Sequence, residues 1–373
     1  MGGDPARPGA AGPARRAATE PGQGDETLPG VGAAAGPARP AKALPPDALL
    51  ERLVPTCTRT FRLAGEALLC ESNDERVVRL AEELFGRFGP PSDGSVEPLV
   101  LRVLVHAPAD PAPLAPRPVF RTHAHLFTVV LGPHDSAAAD VLAGRAFAVV
   151  SPALVEEGWR LQHQVTAALA LGMLGPARGY VPLHSACLAR GDRGVLVLGP
   201  SGAGKSTLAY AAARRGYRVV ADDSVHLGGG EEPRAWGTPW QLQLLPDART
   251  LFPELAALEP RQQTNGELKL DVDLGALLPG SVATSAPLGP VLVLERRPGR
   301  TTIERLTDAE AAAVVEPAWP WQVGWTHRHQ QRLDDVIARG VYRFVAGAEP
   351  GAAVDALDAF MEERWDRSAE DRG

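Results

Sequence analysis

Apolar and polar residues alternate through FRLAGEALLCES (61–72), which predicts a strand. Helical spacing takes over in ERVVRLAEELFGRF (75–88) and stops at Gly89-Pro90. PLVLRVLVHA (98–107), VFRTHAHLFTVVLG (119–132) and RAFAVVS (145–151) predict three further strands. Together these segments predict a small α/β N-terminal domain over 46–155. Glu157 to Gly175 then reads as a helix leading into a second domain, 156–366. In that second domain LHSACLAR and GVLVLG are apolar strands on either side of Gly191-Asp192-Arg193-Gly194, a hairpin signal. If Asp192-Arg193 is the two-residue turn, His184 falls opposite Ser201. GKSTLAYAAARRG predicts a helix closed by Gly216, and YRVVADD a buried strand that turns acidic at its end. GELKLDVDL, PLGPVLVLERR and TTIERL add strands, and AAVDALDAFMEERW closes the domain as a helix. Alternating strands and helices predict an α/β fold with some antiparallel strands.

Composition sets the limits. Residues 1–45 are built from Ala, Gly, Pro and Arg with almost no large apolar side chains, which predicts disorder. A net charge of −7 argues against a nucleic-acid or anionic-membrane partner. The apolar run VTAALALGMLG (165–175) is too short to span a bilayer. MGGDPARPGAAGPARRAATEPGQ lacks an apolar core and a cleavage site, and Ala6 breaks the myristoylation pattern. Cys57, Cys70 and Cys187 are scattered without metal-site spacing. The expectation is a soluble, cytoplasmic protein with reduced thiols, with self-assembly into a homo-oligomer left open.

Lysine usage sharpens the picture. Lys42, Lys205 and Lys269 are the only lysines among 38 basic residues. Arginine evidently replaces lysine wherever it will serve, so a lysine in an ordered region points to a chemical need.

GPSGAGKS (199–206) fits the phosphate-loop pattern completely, with an apolar strand running in and a helix running out. Gly199, Gly202 and Gly204 let the backbone of Pro200, Ser201 and Ala203 curl so that its N–H groups converge on phosphate oxygens. The start of the helix at Lys205, Ser206 and Thr207 adds free donors and a favourable dipole. Lys205 would bridge the β- and γ-phosphates of ATP, and Ser206 would ligate Mg²⁺. Asp222 and Asp223 end the strand that follows the loop helix, so they should lie beside the cradle. One acid there can hold the metal and the other can take a proton from an attacking hydroxyl, while alternation sends them to opposite sides. The structural alternative for either one is an Asx turn or helix cap. His184, a lone histidine on an apolar strand, would ordinarily be a packing residue. The hairpin register brings it to the loop, as an orienting partner or proton relay.

This constellation resembles the HPr kinase/phosphorylase family. The family pattern is a histidine soon after a leucine, a hairpin, a GxSGxGKS loop, a basic residue and a strand ending in Asp-Asp. Here it reads LHSACLARGDRGVLVLGPSGAGKSTLAYAAARRGYRVVADDSVHL (183–227). The resemblance implies a P-loop, carboxykinase-like catalytic domain and extends to His184, Gly199, Gly202, Gly204, Lys205, Ser206, Asp222 and Asp223. It continues more weakly through WQLQLLPDARTLFPEL, ELKLDVDL and PLGPVLVLERR. The LEIRGxG-type signature has no counterpart, and GGGEEPRAWGTPWQ stands in its place. That departure separates the chain from enzymes acting on HPr itself. It points towards related proteins of biosynthetic clusters, some of which phosphorylate a serine of a precursor peptide.

The resulting expectation is an ATP- and Mg²⁺-dependent serine/threonine kinase acting on a protein or peptide. Lys205 neutralises phosphate, Ser206 and Asp222 hold the metal, Asp223 is the base and His184 orients it; the two aspartates are exchangeable at this stage. Its rivals are a small-molecule kinase, for instance of a free amino acid, and a P-loop ATPase or switch without an acceptor. Weaker signals surround the motif. Lys269 is a candidate second cation or an exposed strand lysine. Arg296 and Arg297 follow a buried strand and could line the mouth of the site, but among 35 arginines they carry little weight. The GGG at 228–230 reads as a loop before a lid. HAH (123–125) and HRH (327–329) each put two histidines on one strand face without a third ligand. Trp236 and Trp240 read as core before peptide-docking residues, and Trp319 and Trp321 carry no assignment.

Overall fold

The computed structural model describes residues 53–90, 96–228, 232–238, 242–263, 266–318 and 327–370. The predicted tail, Gly229-Gly230, Trp240, Trp319 and Trp321 lie outside the described residues. From residue 53 onward the described residues form one compact unit of mixed α/β structure.

Its first sheet takes seven strands: β1 (Cys57–Leu63), β2 (Glu66–Ser72), β3 (Leu99–Val105), β4 (Val119–His123), β5 (Leu126–Val130), β6 (Ser136–Asp140) and β7 (Arg145–Val150). Their order is β1-β2-β3-β7-β6-β5-β4, parallel from β2 through β3 to β7 and antiparallel elsewhere. Helix α1 (Glu75–Phe85), capped by Asp74, makes the β2–β3 crossover. Its Val77, Ala81 and Phe85 join Leu68, Leu101 and Val103 of the sheet and Leu169 and Met173 of a second helix in one core. The two segments expected as single strands are hairpins. The chain reverses at Ala64-Gly65 and at Ala124-His125, where both alanines take φ of 50°. Alternation survives a two-residue reversal, so periodicity alone missed these turns. SAAAD, which forms β6, has too few large apolar residues to announce itself.

After α2 (Pro152–Glu156), a π-helical turn over Leu161–Ala167 runs into α3 (Ala168–Arg178). The chain then enters three smaller sheets. β8 (Val181–Leu183), β12 (Val225–Gly228), β13 (Arg234–Gly237) and β17 (Ser285–Pro287) form one of them. A six-stranded sheet has the order β11-β9-β10-β18-β20-β19. It is built from β9 (Ala186–Arg190), β10 (Arg193–Leu198), β11 (Arg218–Ala221), β18 (Val291–Arg296), β19 (Thr302–Arg305) and β20 (Val341–Ala346). β14 (Leu242–Leu244), β15 (Arg261–Gln262) and β16 (Leu268–Val272) make the third. One face of the six-stranded sheet is covered by α4 (Lys205–Ala213) and the C-terminal helix Pro350–Glu370, with Tyr210, Ala212, Val354 and Leu357 against Val195, Val197 and Leu292. Its other face packs Leu196, Leu198 and Val220 against Leu183, Val225 and Leu227 of the four-stranded sheet.

Two details correct the sequence expectation. Arg190 faces Arg193, so the hairpin turn is Gly191-Asp192 and the register is two residues from the expected one. Gly191 at φ 61° supplies the first position of the tight turn, where only glycine is comfortable. LHSACLAR is also not one strand. β8 and β9 belong to different sheets, and the chain changes sheet at His184-Ser185. β11 and β12 make the same change at Asp222-Ser224, with Leu183 opposite Val225 and Cys187 opposite Ala221. The expected parallel return of β11 holds in direction, but β9 stands between it and β10.

Candidate phosphate-binding and phosphoryl-transfer site

The site is assembled where strands stop. β10 delivers the loop 199–204, and α4 starts at Lys205. Gly202 and Gly204 hold φ of 80° and 96°, which a residue with a β-carbon resists. Nothing among the loop side chains caps α4, because its N-cap is Gly204, so its first N–H groups remain available to an anion. The Lys205 side chain is buried and folds back on the loop, donating to the Gly199 carbonyl at 2.8 Å and to the Pro200 carbonyl at 3.4 Å. Burial presses the Lys205 ammonium below its ordinary pKa, and the charges of Asp223 and Asp222 oppose that shift. Pro200, Ser201 and Gly202 are exposed, Ala203 is buried, and Ser206 and Thr207 are half-buried in the first turn of α4.

The two aspartates lie in different surroundings. Asp222 is buried, and desolvation raises its carboxyl to about 6. The Gln243 N–H donates to Oδ2 at 2.8 Å, and this bond and the neighbouring Ser206 side chain both hold the acid down. Oδ1 of Asp222 is buried with no hydrogen-bond partner. Asp223 points the other way, its side chain 77% exposed, with Oδ1 3.4 Å from Nδ1 of His184. His184 is anchored through its own N–H, which donates to the Ala318 carbonyl at 2.8 Å. The pairing arises because both residues occupy the adjacent segments that change sheet.

Two residues enter the site beyond the loop and the acids. Gln243 escaped notice as a polar position between Leu242 and Leu244, although that alternation marks a residue facing away from the core. Lys269 lies on β16 on the same face as Asp271, which is paired across the ladder with Gln243. Its charge acts on both Lys205 and Asp222, and its ammonium is 3.5 Å from Glu267. The remaining sequence signals are placed elsewhere. His123 ends β4 and His125 sits in the following turn, 3.8 Å from Asp140, so HAH is not one strand face. HRH opens a helix, His327–Ala338. Trp236 packs at the edge of the first core, under Gly65.

The donor set fits Mg²⁺. A buried carboxylate oxygen left without a donor, next to a hydroxyl and a phosphate loop, is what a hard divalent cation needs from a protein. Mg²⁺ takes one or two protein oxygens and fills its sphere with phosphate and water. Among the described residues no group of three or more His, Cys, Asp or Glu forms a closed metal cage.

No family model matches the chain. HPr kinase/phosphorylases from three strains of Streptococcus thermophilus are 45% identical to it over 51 residues, 14% of this chain. That stretch is 16% of the length of those curated relatives. The solved Hpr(Ser) kinase/phosphatase of Coxiella burnetii aligns at a TM-score of 0.27 and 14% identity, covering 49% of this chain and 97% of its own. Over those 51 residues the chain is similar in sequence to HPr kinase/phosphorylases, and it spans about a sixth of the length of the curated relatives it matches.

Proposed function

We propose that the protein is an ATP-dependent kinase that transfers the γ-phosphoryl group to a serine or threonine hydroxyl of a protein or peptide. The observation that carries this reading is the division of labour between neighbouring acids: Asp222 dry and beside Ser206, Asp223 open and paired with His184. An outward-facing carboxylate paired with its own histidine suits the deprotonation of a hydroxyl that arrives from outside the protein. Mg²⁺, held by Ser206 and Asp222, would neutralise charge on the phosphates. Lys205 exchanges its two loop carbonyls for phosphate oxygens, a better partner for an ammonium. Asp223 accepts the proton of the acceptor hydroxyl, and His184 fixes the carboxylate and shares the charge that develops there. The exposure of Asp223 among the described residues favours a macromolecular acceptor over a small molecule in a closed pocket.

The test pairs calorimetry of Mg·ATP binding with transfer of labelled γ-phosphate to candidate acceptors. Asp223→Asn should bind nucleotide normally and lose roughly 10²–10⁴-fold in transfer, the usual worth of a positioned base. His184→Ala should lose less, and adding it to Asp223→Asn should change little, because the pair acts as a unit. Wild-type transfer by Asp223→Asn would remove the proposed base and, with it, the kinase reading.

A further inference from the structure

We propose that Arg296 is a second phosphate-binding cation of the loop and contacts the terminal phosphoryl group of the bound nucleotide. The proposal rests on the nucleotide-binding reading above and adds a residue to it. Topology brings Arg296 there. β18 runs parallel to β10, with Leu198 opposite Val293, so both strands end at the same edge of the sheet. The loop packs directly on β18: a β-carbon at Gly199 would stand 2.9 Å from the Leu294 carbonyl oxygen. Two residues farther on, Arg296 lays its guanidinium against Gly204. A β-carbon there would stand 3.4 Å from one terminal nitrogen and 3.5 Å from the guanidinium carbon.

Charge makes this placement informative. Gly204 is the N-cap of α4, the positive end of a helix whose first residue is the buried Lys205. A guanidinium beside a helix N-terminus and an ammonium is repelled by both, and an anion between them reverses the sign. Arg296 also forms no hydrogen bond or ion pair with any described residue. Its neighbours do otherwise, since Arg297 and Arg343 both pair with Glu295. The one arginine of the three without an acid is the one on the phosphate loop. Arginine is so common in this chain that its presence says little, so position carries the inference.

The ligand class is a nucleoside triphosphate, read at its last phosphate. The experiment is calorimetry of Mg·ATP and Mg·ADP on the full chain, as wild type, Arg296→Gln, Arg296→Lys and Lys205→Ala. Arg296→Gln should weaken ATP by about tenfold, as expected for loss of a charge-assisted contact, and leave ADP within about twofold. Arg296→Lys keeps the charge but loses the fork, and should fall between them. Equal weakening of ATP and ADP by Arg296→Gln, or no effect on either, overturns the proposal. Lys205→Ala separates the two levels. If it abolishes ATP binding while Arg296→Gln does nothing, only Arg296 is misassigned. If it leaves ATP binding intact, the nucleotide reading fails and Arg296 falls with it.

Discussion

In the kinase reading proposed above, Gly237 is the position at which a single methyl group should damage phosphoryl transfer from outside the loop. It ends β13, faces Val225 across the ladder and donates its N–H to the Thr284 carbonyl at 3.1 Å. A β-carbon on Gly237 would stand 1.9 Å from the Val220 carbonyl oxygen, 2.6 Å from the Val220 carbonyl carbon and 2.8 Å from the Ala221 β-carbon. These are backbone or short side-chain atoms, so no flexible group can swing away. Restoring an ordinary contact needs β13 and the end of β11 to separate by roughly 1 Å or more. Overpacking of this kind costs about 1–3 kcal/mol, which should lower the melting temperature by several degrees. The residues next in the chain are Asp222 and Asp223. Misplacing a catalytic group by about 1 Å can cost on the order of 10²-fold in rate. Gly237→Ala should therefore reduce γ-phosphate transfer far more than Mg·ATP affinity, because the loop itself hangs from β10 and α4. Gly351→Ala, in the C-terminal helix with open space around the added carbon, is the matched control and should be neutral or better. Thermal melting, calorimetry and the transfer assay on both variants decide the matter. Unchanged melting and transfer in Gly237→Ala would show that β13 does not clamp the strand carrying the aspartates.

Two further outcomes are expected. Burial lowers His226 to about 4 from an ordinary value of 6.5, so the unfolded chain takes the proton first as pH falls. Stability should then be full above pH 6.5 and decline towards pH 4, by up to about 3 kcal/mol from this residue. Denaturant titrations across that range should show a shallower decline in His226→Gln, and an unaltered pH slope would exclude His226 as its source. Lys269→Met should weaken Mg·ATP binding several-fold while leaving thermal stability near wild type, since its ammonium faces the site and remains partly solvated. Unchanged affinity would return Lys269 to the role of a strand-surface charge.

Much of this was legible in the sequence because the relevant signals are local. A glycine-rich loop between an apolar strand and a helix prescribes its own geometry, and the φ values of Gly202 and Gly204 follow from it. The helical and strand segments around 75–88, 98–107, 145–151 and 205–216 were likewise marked by period and punctuation. What escaped was of two kinds. The Ala64-Gly65 and Ala124-His125 reversals preserve the two-residue alternation, so nothing in the apolar pattern changes there. The other kind is long-range. That His184-Ser185 is a change of sheet depends on Val225 pairing with Leu183, a partner more than forty residues away. Gln243 reaches the site in the same way, through a ladder with β16 that no short window contains.

The change of sheet accounts for why two consecutive acids differ so much. On an uninterrupted strand Asp222 and Asp223 would point to opposite faces, and both faces of the six-stranded sheet are covered by core. Both charged groups would then be buried, at a cost of several kcal/mol for each one left without a partner. Ending β11 at Ala221 limits the burial to Asp222. Asp222 remains within the protein, where the Gln243 N–H meets one oxygen and the other is buried without a hydrogen-bond partner. Asp223 is released to solvent beside His184 as the chain crosses to β12. In the proposed reading this geometry favours Asp222 as the metal ligand and Asp223 as the base. A metal ligand is best dry and fixed, and Asp222 is both. A base must reach an acceptor that arrives from outside, and only Asp223 is exposed to one. An exchange of roles would require the acceptor hydroxyl to enter the buried side of β11, against Ser206 and Gln243. The site would then have to open during every turnover, whereas the assignment of Asp223 as base asks nothing of the fold but to stay as it is.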